Sequence, residues 1–140
     1  MTAYEVDFYA WTQEQAQLLR AGKLASLDLE NLAEEIESLG RQERRELRHR
    51  LAVLVGHLLK WQYQPAKRSG SWQSTLRVQR REVERLLQDN PSLRPCLDQA
   101  IAESYDAAMD LAIQETGLAA FPSACPYSET EILDELYLPE

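Results

Sequence analysis

The chain has 140 residues, 44% hydrophobic and 27% charged, with 5 Gly and 6 Pro. This suits one globular helical domain over residues 1–140 and excludes disordered, fibrous and two-domain organisations. A chain of this size buries roughly two-thirds of its unfolded surface, so it needs neither disulfides nor a structural metal, and its net charge of −8 gives little long-range attraction to a polyanion.

Apolar residues recur at helical spacing throughout, and alternating strand patterns and Asn-Gly or Asp-Gly hairpin signals are absent, so the spacing predicts an all-α chain. The first helix runs from Asp7, a good N-cap, to Ala21, with Phe8, Trp11, Leu18 and Leu19 on one face and Gly22 as the stop. Asp28 caps the next. There Leu32, Ile36 and Leu39 are followed in the same phase by Leu47, Leu51, Leu54, Leu58 and Trp61. This predicts either one helix over 29–63 or two nearly coaxial helices broken at Gly40. A mid-helix Gly costs about 1 kcal/mol relative to Ala, which permits both.

The stretch from Gln64 to Ser71 reads as a loop because Pro65 disfavours helix before it and Gly70 and the serines supply turns. Ser71 is the expected cap of a third helix carrying Trp72, Leu76, Val83, Leu86 and Leu87 and ending before Asn90-Pro91. A fourth opens near Ser92, tolerates Pro95 in its first turn, and runs through Leu97, Ile101, Tyr105, Ala108, Leu111 and Ala112 to Gly117. Ser128 and Glu131 have capping-box spacing and open a short helix over Ile132 to Tyr137. Short connections between long amphipathic helices imply a four-helix-bundle-like single domain with a short C-terminal helical appendage.

The longest apolar-rich run, Leu51 to Leu59, falls far short of the roughly 20 residues of a membrane span, so no membrane association is expected. Glu5 and Asp7 stand where a secretory signal would be basic. Cys96 and Cys125 have neither CxxC spacing nor a disulfide framework, so a reducing cytoplasm is the expected location.

Charge is laid out in blocks: −6 over residues 1–40, +8 over 41–85 and −10 over 86–140. The economical explanation is internal pairing, with Arg77, Arg81 and Arg85 running alongside Glu103, Asp106 and Asp110 in a helical hairpin. The alternatives are an anionic partner for the basic middle, or a protein partner for the stripe Arg41, Arg44, Arg45 and Arg48.

Three constellations bear chemistry. Glu46 and His49 form an E-x-x-H pair on one helical face, but a di-metal bundle needs two such pairs and further glutamates. No metal and no cofactor is therefore expected. Neither cysteine has a histidine nearby in sequence, no nucleophile elbow is present, and the isolated glycines make no phosphate loop. Cys96, in a helix first turn, reads as a small apolar stripe residue. Lys60, Trp61, Tyr63, Lys67, Arg68 and Trp72 interleave cations with aromatics as a nucleic-acid site would, although both tryptophans fall in phase with apolar stripes and so belong to the core.

As a set, Tyr4-Glu5-x-Asp7-Phe8-Tyr9-Ala10-Trp11, Leu27-Asp28, Glu34-Glu35-Ile36-Glu37-Ser38-Leu39-Gly40, His57-Leu58-Leu59-Lys60-Trp61-Gln62-Tyr63-Gln64-Pro65, Ser71-Trp72, Gln79-Arg80, Pro91-Ser92-Leu93, Glu115-Thr116-Gly117-Leu118 and Phe121-Pro122-x-x-Cys125-Pro126-Tyr127 resemble the bacterial domain-of-unknown-function family number 29 in order over nearly the whole chain. The resemblance implies a compact, stand-alone helical protein of cyanobacteria and proteobacteria with no assigned activity. Within the pattern, Glu37 can pair with Arg41 at i, i+4. His57, Lys60 and Gln64, faced by Trp72 and Arg80, make the expected binding surface, at the mouth of an apolar face.

These observations lead to an expected non-catalytic binding module of the bacterial cytoplasm, acting on a protein partner or as a homo-oligomer. A nucleic-acid-binding protein using residues 41–85 is the first alternative. A metal-binding or enzymatic bundle around Glu46, His49 and His57 is the second.

Overall fold

Helical periodicity carries through to the tertiary level. The computed structural model describes residues 3–140, and among them are six α-helices, three short 3₁₀ turns and no strand. In chain order the helices are α1 (Ala3–Val6), α2 (Phe8–Arg20), α3 (Leu29–Tyr63), α4 (Gly70–Asp89), α5 (Leu97–Thr116) and α6 (Glu129–Leu133). Of the two forms open for residues 29–63, the continuous one is observed: α3 spans 35 residues and passes through Gly40. By internal packing the chain divides into two units, Met1–Gln42 and Glu43–Glu140, with α3 contributing to both.

In the first unit, Asp7 caps α2 as expected, its carboxylate accepting the Ala10 N–H at 3.0 Å. Gly22 ends the helix at φ +69°, with Lys23 N–H donating to the Leu18 carbonyl and Gly22 N–H to that of Leu19, a left-handed stop that suits Gly. The rings of Tyr4, Phe8 and Trp11 pack together at centroid distances of 4.8 to 5.6 Å. Trp11 is buried and donates its indole N–H to Asp28 at 3.0 Å, and the buried Gln15 accepts the Asp28 N–H at 2.9 Å. These two bonds tie α2 to the start of α3, and the Asn31 amide, then the Trp11 indole, hold the Asp28 carboxyl below its ordinary pKa.

The second unit holds the main core. Leu47, Leu51, Leu54, Val55, Leu58 and Leu59 of α3 are essentially inaccessible and pack with Leu76, Val83, Leu86 and Leu87 of α4 and Leu97, Ala108 and Ala112 of α5. At Gly56 a Cβ would lie 2.8 Å from Leu111 Cδ2 and 3.1 Å from the Ala108 carbonyl oxygen, so Gly56 permits the close approach of α5. The short C-terminal helix is present, and it reaches into the core through Ile132, which is fully buried. Its Ser128 and Glu131 form the expected capping box.

Three boundaries differ from the sequence expectation. Ser69, not Ser71, caps α4, because its extended backbone lets Oγ accept the Trp72 N–H at 3.3 Å. Pro91–Cys96 forms a 3₁₀ turn and α5 starts only at Leu97, since two prolines each remove a donor from the first α-turns. Helix α6 stops at Leu133 instead of reaching Tyr137, because the Asp134 backbone is extended and its carboxylate accepts the Leu136 N–H at 2.9 Å, a local bond that competes with the helix.

Candidate functional site

Two places combine accessible surface with particular chemistry. The first is a polar corner of the second unit at the C-terminal end of α3. Lys60 is only 4% exposed; its ammonium pairs with Glu115 at 2.5 Å and lies 4.6 Å from the centroid of the Trp72 ring. One turn earlier, His57 Nδ1 is 2.9 Å from the Val53 carbonyl oxygen. Burial, above all, pushes the His57 pKa below its ordinary value, with the Lys60 charge acting in the same direction. The imidazole is therefore biased neutral, with Nδ1 in position to donate to Val53.

The tertiary structure brings Lys60 and Trp72 into contact with each other, places His57 on the next turn and leaves Gln64 at the end of α3, where its N–H donates to the Lys60 carbonyl. Arg80 does not face this corner. Buried on α4, it donates from Nε to the Ile132 carbonyl at 2.9 Å and from Nη2 to the Glu131 carbonyl at 3.2 Å, so it clamps the end of α6. Glu115, which lies 55 residues from Lys60 in sequence, was missing from the sequence-based surface, and no local signal pairs the two. Trp61 and Trp72 are half-buried, and a cation lies over each ring, Arg68 over Trp61 at 5.0 Å and Lys60 over Trp72.

The expected pairing of the α4 arginines with the acidic stripe of α5 is not observed. Arg77, Arg81 and Arg85 are exposed. Arg85 pairs with Glu82 at 3.0 Å, Glu46 at 3.4 Å and Asp89 at 3.4 Å, while Glu103 is taken by Arg48 at 3.5 Å. The side chain–carbonyl clamps and the core rotate α4 so that its Arg85 edge borders α3 instead of α5. The Glu37–Arg41 pair is present at 3.9 Å, joined by Glu34 at 2.9 Å. Glu46 pairs with Arg50 at 3.6 Å and with Arg85 at 3.4 Å, and His49 is exposed, so the E-x-x-H carboxylate is already engaged by cations. Cys96 and Cys125 are half-buried free thiols, and burial raises the pKa of Cys125.

The second place lies on the apolar faces that the sequence assigns to the first two helices. In the first unit, α2 and α3 flank a groove of about 470 Å³ whose lining includes Phe8, Trp11, Leu19, Leu32, Ile36 and Leu39. Trp11 forms the buried floor, but Phe8 is 48%, Leu19 51%, Ile36 67% and Leu39 61% exposed. The apolar stripe of α3 resumes in phase at Leu47 after the polar stretch 40–46, while burial changes abruptly. One carboxylate, Glu35, lines the groove, and no cation does. The Tyr4 hydroxyl donates to that carboxylate, which also raises the Tyr4 pKa.

A family model described as domain of unknown function DUF29 matches residues 3–138. The chain belongs to the DUF29 family. This agrees with the resemblance seen in the sequence and extends over nearly the whole chain. No curated protein and no solved structure matches it. For this DUF29 chain the chemistry therefore has to be read from its own side chains, and among the described residues no group of three or more His, Cys, Asp and Glu is arranged to hold a metal. No helix among the described residues is long and apolar enough to cross a membrane.

Proposed function

We propose that this DUF29 chain is a non-catalytic protein-interaction module of the bacterial cytoplasm, and that its first unit carries the docking face. The observation that supports this reading is the concentration of exposed large apolar side chains there: Val6, Phe8, Tyr9, Leu19, Leu24, Leu29, Ile36 and Leu39, all in the first unit, are eight of the fourteen among the described residues. Contiguous apolar surface bordered by polar groups marks interaction sites, because water contact with it is costly and a partner removes that cost. A helix laid between two helices buries its apolar stripe against both.

The polar corner supports a structural role better than a binding one. Lys60 is nearly inaccessible, its charge is paired with Glu115 and its ammonium lies over the Trp72 ring, so little of it is open to a ligand. A nucleic-acid reading loses support for the same reason, since the aromatic faces required for base stacking already carry Lys60 and Arg68.

The test is site-specific photo-crosslinking in the native host, with the photoreactive residue at Leu39 and, as control, at the exposed Arg81 of α4. A discrete protein adduct at Leu39 that Phe8→Gln removes, with none at Arg81, is the expected result. Equal adducts at both positions, or none at Leu39, would overturn the docking face.

A further inference from the structure

We infer that the occupant of the α2–α3 groove is a cationic amphipathic helix of another protein, not a second copy of this chain; this rests on the groove being a docking face. The first argument is shape. The groove is lined by Phe8 to Leu19 on α2, about 16 Å of helix rise, and by Leu32 to Leu39 on α3, about 10 Å. The roughly 10 Å flanked on both sides accepts two turns of a helix with apolar anchors at i, i+4 and i+7.

The second argument is the state of the floor. Trp11 Nε1–H is taken by Asp28, the Gln15 carbonyl oxygen accepts the Asp28 N–H, and Glu35 accepts from Tyr4. An incoming apolar stripe therefore leaves these groups with their partners, and it avoids the penalty of stranding buried polar atoms.

Charge decides the kind of helix. Residues 1–42 carry eight carboxylates against three cations, a net −5, and one of those cations, Arg41, is held by Glu34 and Glu37. Glu35 lies in the groove and no Lys or Arg lines it, while Glu14, Glu30, Glu34 and Glu37 are exposed. A second copy docking symmetrically through the same face would bring a second −5 unit to the first. A helix with Lys or Arg beside its apolar stripe brings the opposite sign, and its alkyl stems extend the apolar contact over the groove rim while the charged heads stay in water.

The test uses fluorescence anisotropy with two labelled peptides, each about four helical turns long and sharing one leucine stripe, with lysine flanks in one and glutamate flanks in the other. The lysine peptide is expected to bind roughly tenfold or more tightly than the glutamate peptide at low salt, with the preference shrinking as salt screens it. Ile36→Gln with Leu39→Gln should abolish binding without changing the circular dichroism melt; neutral replacements leave the electrostatic attraction intact, so the loss reports the apolar contact. Glu35→Gln should weaken the lysine peptide and flatten its salt dependence.

Equal affinity for the two peptides, or lysine-peptide binding that survives the double substitution, would overturn the inference. Sedimentation equilibrium supplies the remaining arms. A wild-type dimer dissociated by the double substitution would make a second copy the occupant, overturning this assignment while leaving the docking face in place. A monomer that binds neither peptide would overturn both.

Discussion

Arg80 Nε donates to the Ile132 carbonyl oxygen at 2.9 Å across 52 residues of sequence. With the bond from Nη2 to the Glu131 carbonyl, one guanidinium on α4 satisfies two carbonyls at the end of α6, and it does so while 97% of the arginine is out of water, its exposure being 3%. Helix α6 has five residues and cannot persist by its own hydrogen bonds, because nucleation is costly in so short a segment. Ile132 supplies its apolar anchor and Arg80 its polar one.

Arg80→Met should therefore destabilise the second unit by about 1 to 3 kcal/mol, the cost of leaving buried carbonyls without donors. Equilibrium urea unfolding measures the loss. Hydrogen exchange should show the amides of Glu129–Leu133 losing protection before those of α4. An unchanged midpoint with unchanged exchange would show that the clamp is dispensable.

Gly56→Ala tests the α3–α5 contact. Ala is the better helix former by up to about 1 kcal/mol, so an exposed site would gain stability. Here the new methyl meets Leu111 Cδ2 at 2.8 Å and the Ala108 carbonyl at 3.1 Å. The leucine end can move but the carbonyl belongs to the α5 backbone, and forcing the helices apart costs about 1 to 3 kcal/mol. A net fall in melting temperature is expected, and a rise would mean that the interface yields freely.

The Lys60–Glu115 pair should respond unequally to removal of either side. Glu115→Gln leaves a nearly inaccessible ammonium without a countercharge, whereas Lys60→Met leaves a half-exposed carboxylate that water can solvate, as the side-chain exposures of 5% and 49% require. Glu115→Gln should thus cost roughly 1 to 3 kcal/mol and exceed the loss in Lys60→Met. Thermal unfolding of both variants checks the order, and the reverse order would refute it.

His57 supplies a pH dependence. Its folded-state pKa lies below the ordinary value, chiefly through burial, so below about pH 6.5 the unfolded chain binds a proton that the folded chain resists. Stability from this group is complete above that pH and is lost as pH falls through the folded pKa. Its surroundings include the Lys60 cation, which opposes protonation, and Glu115, which favours it. Urea midpoints taken between about pH 7 and pH 5 should fall less steeply in His57→Gln than in the wild type; parallel slopes would sink the assignment.

Local chemistry was sufficient for what the sequence by itself determined. Asp7 caps α2, Ser128 and Glu131 form a capping box, and Gly22 and Gly117 end helices in the left-handed region at φ +69° and +73°, since each of these needs only neighbours within a few residues. The all-α class followed likewise from period. The tertiary structure alone decided burial and pairing. The stripe from Leu32 to Leu58 keeps one phase, yet Ile36 and Leu39 remain in solvent while Leu47 and Leu51 are inaccessible, because an apolar stripe specifies a face and not whether another element covers it. Ion pairs follow the same physics: whether Arg85 meets Glu103 or Glu46 depends on the rotation of α4 about its axis, and that rotation is set by Leu76, Val83 and Leu87 in the core and by Arg80 on α6, not by the charges themselves.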